Sequence, residues 1–256
     1  MRWTINNWHT ALDIAYSIPY TIFIKTRQPL TLTLRPHQQR ALDALLTASI
    51  GRVTIPTGGG KTLVMIEDVK RRLTASTTPQ TIVVVAPRIL LAVQLYEEFW
   101  SALNGTVDVA AMHVHSGEVD CYSSTKVQQI QCHAGVCAAA GIHQLIFTTY
   151  NSLRRVNEAG IDVDMIYYDE AHNSVRRDFF KEVAIASITA TYAYYFTATP
   201  KYRGSDISMN NTTVYGSELI SVPAPELINN GSIIPPTIQP HVVDIERNKS
   251  LLAPEN

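Results

Sequence analysis

Cysteine is scarce in this chain, with three in 256 residues. An odd, small number builds no disulfide framework, so a reducing compartment is the expectation. No long hydrophobic run exists either. The most apolar stretch, Ile82 to Leu95, is interrupted by Pro87-Arg88 and is too short to span a bilayer. The start, Met1-Arg2-Trp3-Thr4-Ile5-Asn6-Asn7-Trp8-His9, lacks the clean apolar core of a secretory leader. Net charge is also nearly absent, −1 at neutral pH, so no overall basic footprint advertises a nucleic-acid partner. A local basic strip can still sit inside a neutral total. With 46% hydrophobic and 17% charged residues the composition is that of a packed globule and not of a disordered chain. These absences predict a soluble, cytoplasmic protein without a membrane partner, long enough for one large domain or two small ones.

What the chain does have is an alternation of strand and helix patterns. Leu34 begins an expected helix with Arg35-Pro36 at its start and Leu42, Leu45 and Leu46 at helical spacing. Arg52 to Pro56 is a short β-branched run, and Thr62 to Leu73 carries Leu63, Ile66, Val69 and Leu73 on one helical face. Thr81 to Ala86, Gln144 to Thr148, Met165 to Tyr168 and Ala193 to Thr197 read as strands. Leu90 to Leu103 and a short segment near Ser152 read as helices. Alternation of this kind predicts an α/β fold with a mostly parallel sheet and helices on both faces. Three parts are expected: residues 1–30 as an extension of unreadable role, 31–222 as the domain, and 223–256 as a proline-rich exit segment or linker.

Three short strings occupy the ends of predicted strands, where open α/β sheets place ligands. The first is Pro56-Thr57-Gly58-Gly59-Gly60-Lys61-Thr62. Its glycines let backbone N–H groups approach phosphate oxygens, and the following helix adds its positive end. Lys61 can reach β- and γ-phosphates, and the Thr62 hydroxyl can ligand Mg²⁺. The strict eight-residue phosphate-loop pattern wants glycine where Ile55 stands, so the fit is to a relaxed form. The second string is Asp169-Glu170-Ala171-His172. Asp169, just after an apolar strand, can hold Mg²⁺ opposite Thr62, and Glu170 suits polarisation of an attacking water. An acidic pair capping a helix is the bland alternative. The third is Thr197-Ala198-Thr199-Pro200; with it, His172 could transmit nucleotide state between strand ends, or be an ordinary surface histidine.

In this order the strings resemble the first motor domain of a superfamily-2 helicase or translocase with a DEAH-type Walker B box. The wording is closest to the restriction-enzyme-subunit and repair-helicase branch. Leu34 to Ala41 resembles the adenine-side entry motif, while Val85-Ala86-Pro87-Arg88 and Phe147 to Leu153 look like two nucleic-acid-facing motifs. The resemblance implies a RecA-like P-loop fold, ATP and Mg²⁺ as cofactors, and Arg35 and Gln38 at the base. Thr57, Gly58, Gly59, Gly60, Lys61 and Thr62 would then hold phosphate, with Lys61, Asp169 and Glu170 catalytic and His172, Thr197 and Thr199 coupling. It further implies a nucleic-acid strand, DNA in preference to RNA, against Pro87, Arg88, Thr148 and Thr149. Arg88 is equally readable as a solvated arginine. Such motors use a second RecA-like domain that supplies arginine fingers, and no arginine-rich string of that kind follows Pro200. The expectation is ATP binding with weak hydrolysis by this chain alone. The competing expectation is a non-catalytic, nucleotide-gated module acting with a partner.

One further cluster stands apart: His113, His115, Cys121, Cys132, His133 and Cys137. A zinc site is one reading. Buried small hydrophobes and loop histidines are the other, favoured by the lack of repeated close cysteine pairs.

Overall fold

The computed structural model describes residues 33–119 and 121–235; the expected extension at residues 1–30 lies outside them. Seven strands form one sheet, all parallel: β1 (Ile50–Thr54), β2 (Thr81–Ala86), β3 (Val109–Val114), β4 (His143–Thr149), β5 (Met165–Tyr168), β6 (Tyr192–Thr197) and β7 (Ser217–Ser221), in the spatial order β3-β4-β2-β5-β6-β1-β7. Among the described residues eight α-helices accompany them: α1 (Pro36–Ala44), α2 (Lys61–Ala75), α3 (Ile89–Leu103), α4 (Val127–Ala140), α5 (Leu153–Ala159), α6 (Arg177–Thr189), α7 (Thr212–Tyr215) and α8 (Ala224–Asn229). The expected α/β architecture is present.

Parallel pairing buries both faces of the central strands, which is why their sequences run apolar without a break. In β2, Ile82, Val84 and Ala86 join one core with α2, α3 and Leu227 of α8. Val83 and Val85 point the other way, into a second core with Leu153 and Val156 of α5 and Phe179 and Val183 of α6. The registers Thr54↔Thr197, Tyr168↔Tyr195, Val85↔Tyr168 and Ala86↔Thr149 bring the carboxyl ends of five strands to one edge. All three strings lie just past that edge.

Boundaries shift where proline acts. The first helix begins at Pro36 and not at Leu34, because the residue before a proline is held extended (Arg35 φ −72°, ψ 156°). Leu46, expected on its buried face, lies beyond the helix and is 61% exposed. The strand expected to run to Pro56 ends at Thr54; Ile55 N–H makes one more bond, to Thr197 O at 3.0 Å. Pro56 has no N–H to continue the ladder. At the other end, the segment read as a proline-rich exit contains α8, with Pro225 in its first turn, where a missing N–H costs nothing, and with Leu227 fully buried.

Candidate functional site

The glycine loop is shaped by close neighbours. Gly60 caps α2 in the left-handed region (φ 83°, ψ 40°), without a side-chain cap, leaving the helix's positive end open. A Cβ there would stand 2.2 Å from Gln38 Nε2. At Gly59 a Cβ would lie 2.5 Å from Ile55 Cγ2. Ile55 holds the position where the strict pattern has glycine, and it is fully buried in the core at the end of β1. The relaxed form therefore exchanges one glycine for a core residue and leaves the remaining glycines to give way. His37 Nε2, 2.8 Å from Gly59 O, donates to it, and Gln38 Nε2 donates to the same oxygen at 3.2 Å. Gln38 Oε1 in turn accepts from Arg35 N–H at 2.9 Å. The motif reading singled out Arg35 and Gln38 and passed over His37, whose place one residue before Gln38 was the available signal. Thr57 and Gly58 are exposed and Thr62 is half-buried.

Lys61, the first residue of α2, is 9% exposed, and its Nζ lies 3.3 Å from Glu170 Oε1. Glu170 is the one non-glycine residue with positive φ among the described residues (φ 45°, ψ 52°). Such backbone strain is held only where surroundings over-determine it, and it clusters at functional sites. Here the holding bonds are visible: Asn173 N–H and Nδ2 both donate to Glu170 O, at 3.0 and 2.9 Å. His172 Nδ1 sits 3.3 Å from Glu170 Oε2 and 3.1 Å from Thr197 Oγ1. A carboxylate oxygen accepts only, so Nδ1 carries the proton and Nε2 is free to accept from Asn173 Nδ2 at 3.4 Å. Burial, outweighing the nearby Glu170 carboxylate, lowers the His172 pKa below the ordinary 6.5, consistent with a neutral ring. Thr199 N–H donates to Thr197 Oγ1 at 3.2 Å. Lys61, Glu170, His172, Thr197 and Thr199 thus form one continuous polar chain from the phosphate loop to the end of β6.

Asp169 closes β5, its N–H bonded to Val85 O at 2.8 Å and its carbonyl accepting from Tyr150 Oη at 2.9 Å. Burial first, and then the adjacent Glu170 charge, raise its pKa from the ordinary 3.8 to about 6, against the pull of Lys61. A cation beside Asp169 would offset both causes, and the helix end beside Lys61, with no side-chain cap, is open to an anion. The raised pKa has a stability consequence of definite sign. The folded state holds the Asp169 proton more tightly than the unfolded state, so the protein loses stability as pH rises from about 4 to about 6 and stays lower above. Asp169→Asn is therefore expected to stabilise the ligand-free protein by about 2 kcal/mol at pH 7.5. The gain should shrink as pH falls toward 4, as read from urea unfolding midpoints.

The residues expected to face nucleic acid lie at neighbouring strand ends, with Ala86 of β2 opposite Thr149 of β4. Arg88 is exposed at the start of α3, next to half-buried Pro87. Thr148, by contrast, is fully buried, and its hydroxyl donates to Val114 O of β3 at 2.8 Å. Thr149 is 4% exposed, with Oγ1 bonded to Ser152 Oγ at 3.3 Å. Their hydroxyls are committed to the sheet and the following turn, because both sit inside β4 and not past its end.

Four of the six residues in the cysteine–histidine cluster, His113, His115, His133 and Cys137, are buried, while Cys121 and Cys132 are half-buried. His113 and His115 face each other, Nδ1 to Nε2 at 2.9 Å, and Gln144 Nε2 donates to His133 Nδ1 at 2.8 Å. Burial pushes His113 and His133 down to about 4 and Cys137 up to about 12, so all three are neutral. Among the described residues no group of three His, Cys, Asp or Glu is placed to hold a metal. Nor is any described helix long and apolar enough to cross a membrane.

Known structures share this fold. A nuclease-deletion mutant of the type ISP restriction-modification enzyme LlaGI, in complex with a DNA substrate mimic, aligns with a TM-score of 0.68 at 21% identity, over 78% of this chain and 21% of that one. The helicase domain of Pyrococcus furiosus Hef aligns at 0.55 and 20% identity, over 76% and 39%. The UvsW helicase of bacteriophage T4 aligns at 0.53 and 14% identity, over 73% and 60%. The chain thus spans about a fifth of the length of LlaGI. No curated protein matches it. The sheet with its strand-end loops is the RecA-like fold of superfamily-2 motor domains, and residues 31–202 match the family described as type III restriction enzyme, res subunit. The chain belongs to that family.

Proposed function

We propose that this chain is the ATP-binding first motor domain of a DNA translocase or helicase, in which hydrolysis of Mg-ATP drives movement along nucleic acid. The observation that carries this reading is the unbroken chain from Lys61 through Glu170 and His172 to Thr197. In it, a residue suited to γ-phosphate and a residue suited to water activation are joined to the end of another strand. Backbone amides from Thr57 to Gly60 would receive the phosphates, with Lys61 at the β- and γ-positions. Thr62 and Asp169 would hold Mg²⁺, which supplies charge neutralisation between the transferred and leaving oxygens. Glu170 orients the attacking water and accepts its proton. Arg35 and Gln38 sit on the base side. His172, Thr197 and Thr199 pass the state of the γ-phosphate to the strand end. Asp169-Glu170-Ala171-His172 then acts as a DEAH box. A second RecA-like domain would complete the site with arginine.

DNA is favoured as the track because LlaGI was solved with a DNA substrate mimic and the related LlaBIII bound to DNA. Arg88, exposed at the start of α3, is the basic residue this reading assigns to a phosphate contact. A non-catalytic, nucleotide-gated module is the weaker reading, since a binder has no need to hold Glu170 in a strained conformation against Lys61.

The test is Mg²⁺-dependent ATP turnover with single- and double-stranded DNA and RNA. Stimulation by DNA is expected, and Arg88→Ala should raise the DNA concentration for half-stimulation by about 3- to 10-fold while lowering the salt slope by about one. Equal turnover with and without every nucleic acid would contradict the motor reading.

A further inference from the structure

The phosphate loop is gripped from two sides, and nucleotide recognition accounts for only one of them. From α1, His37 and Gln38 hold Gly59 O. From the far end of the described chain, α8 and the turn after it close on the same glycines. Leu227, fully buried, places Cδ1 3.0 Å from where a Gly59 Cβ would stand, and Ile233 places Cγ2 3.4 Å from the corresponding point at Gly58. The turn is folded back on the helix: Ser232 N–H and Ile233 N–H both donate to Leu227 O, at 2.8 and 3.2 Å. It is then tied to the base side of the site. Arg40 pairs with Glu226, and Arg35 Nη1 donates to Ser232 O at 3.0 Å. Arg35 therefore belongs both to the base-side motif and to the anchor of this strap.

We propose that Leu227 and Ile233 are positioning residues for the phosphate loop, and that segment 224–233 tightens on the loop when nucleotide binds. This rests on the nucleotide-site reading above. A run of three glycines has little rigidity of its own, so its phosphate-binding shape must be imposed by neighbours. The strap, like Ile55 and His37, is a neighbour that is not itself assigned as a ligand. Coupling of this kind is reciprocal: if the strap favours the binding-competent loop, bound nucleotide must favour the closed strap by the same factor.

Ile233 is only partly buried and Ile234 is 90% exposed, which gives a matched pair of substitutions that should fold. Binding of a fluorescent ADP with Mg²⁺ is measured on the full chain, together with amide exchange across 224–233 with and without Mg-ADP. Ile233→Ala should weaken binding by about 3- to 10-fold at an unchanged unfolding midpoint, and Ile234→Ala by less than about twofold. Exchange at Ser232 and Ile233 should slow by at least about threefold in Mg-ADP. Nucleotide binding that depends on Lys61, yet is equal in the two isoleucine variants or leaves strap exchange unchanged, overturns the proposal. Binding indifferent to Lys61→Ala overturns the nucleotide-site reading, and the strap with it.

Discussion

Glu170→Gln is expected to keep Mg-ATP bound while lowering its turnover by about 10²- to 10⁴-fold, the usual contribution of a positioned general base. The substitution is nearly isosteric, so the strained backbone at φ 45° and its two bonds from Asn173 have no reason to change. What changes is charge. An amide cannot accept the proton of water, and it no longer offers a carboxylate to Lys61 at 3.3 Å or to His172 at 3.3 Å. Freed of that partner, Lys61 turns to phosphate more readily, so affinity holds or rises. The check is a pair of measurements on one preparation, equilibrium binding and single-turnover hydrolysis. Loss of both together would mean that Glu170 supports the fold of the loop and not the chemistry.

The largest stability effect is expected away from the chemistry, at Asp68. This carboxylate is fully buried behind the phosphate loop, on α2. It accepts from Arg71, from Arg72 Nε at 3.0 Å and from Tyr167 Oη at 2.7 Å. Arg72 also donates to Leu45 O at 3.2 Å and to Tyr194 Oη at 2.8 Å, and stacks 4.1 Å from the Tyr192 ring centroid. The network therefore locks α2 against the segment after α1 and against β5 and β6. Its arginines are half-buried around the fully buried carboxylate, and removing their common partner leaves both without their ion pair. Asp68→Ala should cost about 3–5 kcal/mol, read as a shift in urea midpoint. Asp68→Asn should cost less, since the amide oxygen still accepts from Tyr167. A shift below about 1 kcal/mol for Asp68→Ala would show that water replaces the carboxylate.

How far the sequence discloses this depended on burial. Strands β2, β4, β5 and β6 are covered on both faces, so they read as apolar runs bounded within a residue or two of their true ends. The edge strands do not. β7, Ser-Glu-Leu-Ile-Ser, is half exposed, and β3 is only partly buried in its first half; neither was foreseen, because an edge strand answers to one neighbour and fewer packing constraints. Helix α6 was passed over although Phe179, Val183 and Ala186 repeat at helical spacing. The glycine loop and the acidic string are legible as strings because each directly follows a strand whose apolar run is itself plain in the sequence. The placement of Thr148 was not, since a threonine within a strand and one just past it look alike in sequence. The strap is hidden for a different reason: Pro223, Pro225 and Gly231 suggest a loose exit, while its packing rests on Leu227 and on scattered contacts from Arg35 and Arg40 that no local pattern marks.

The most direct test of the central claim is equilibrium binding of a fluorescent ATP analogue with Mg²⁺ to the protein and to Lys61→Ala. Lys61 is nearly buried and touches Glu170, so a urea midpoint on the same preparation separates loss of fold from loss of contact; binding is expected to weaken by at least about tenfold, the loss of one charge-assisted phosphate contact. Unchanged affinity in Lys61→Ala would contradict the assignment of this loop as the nucleotide site.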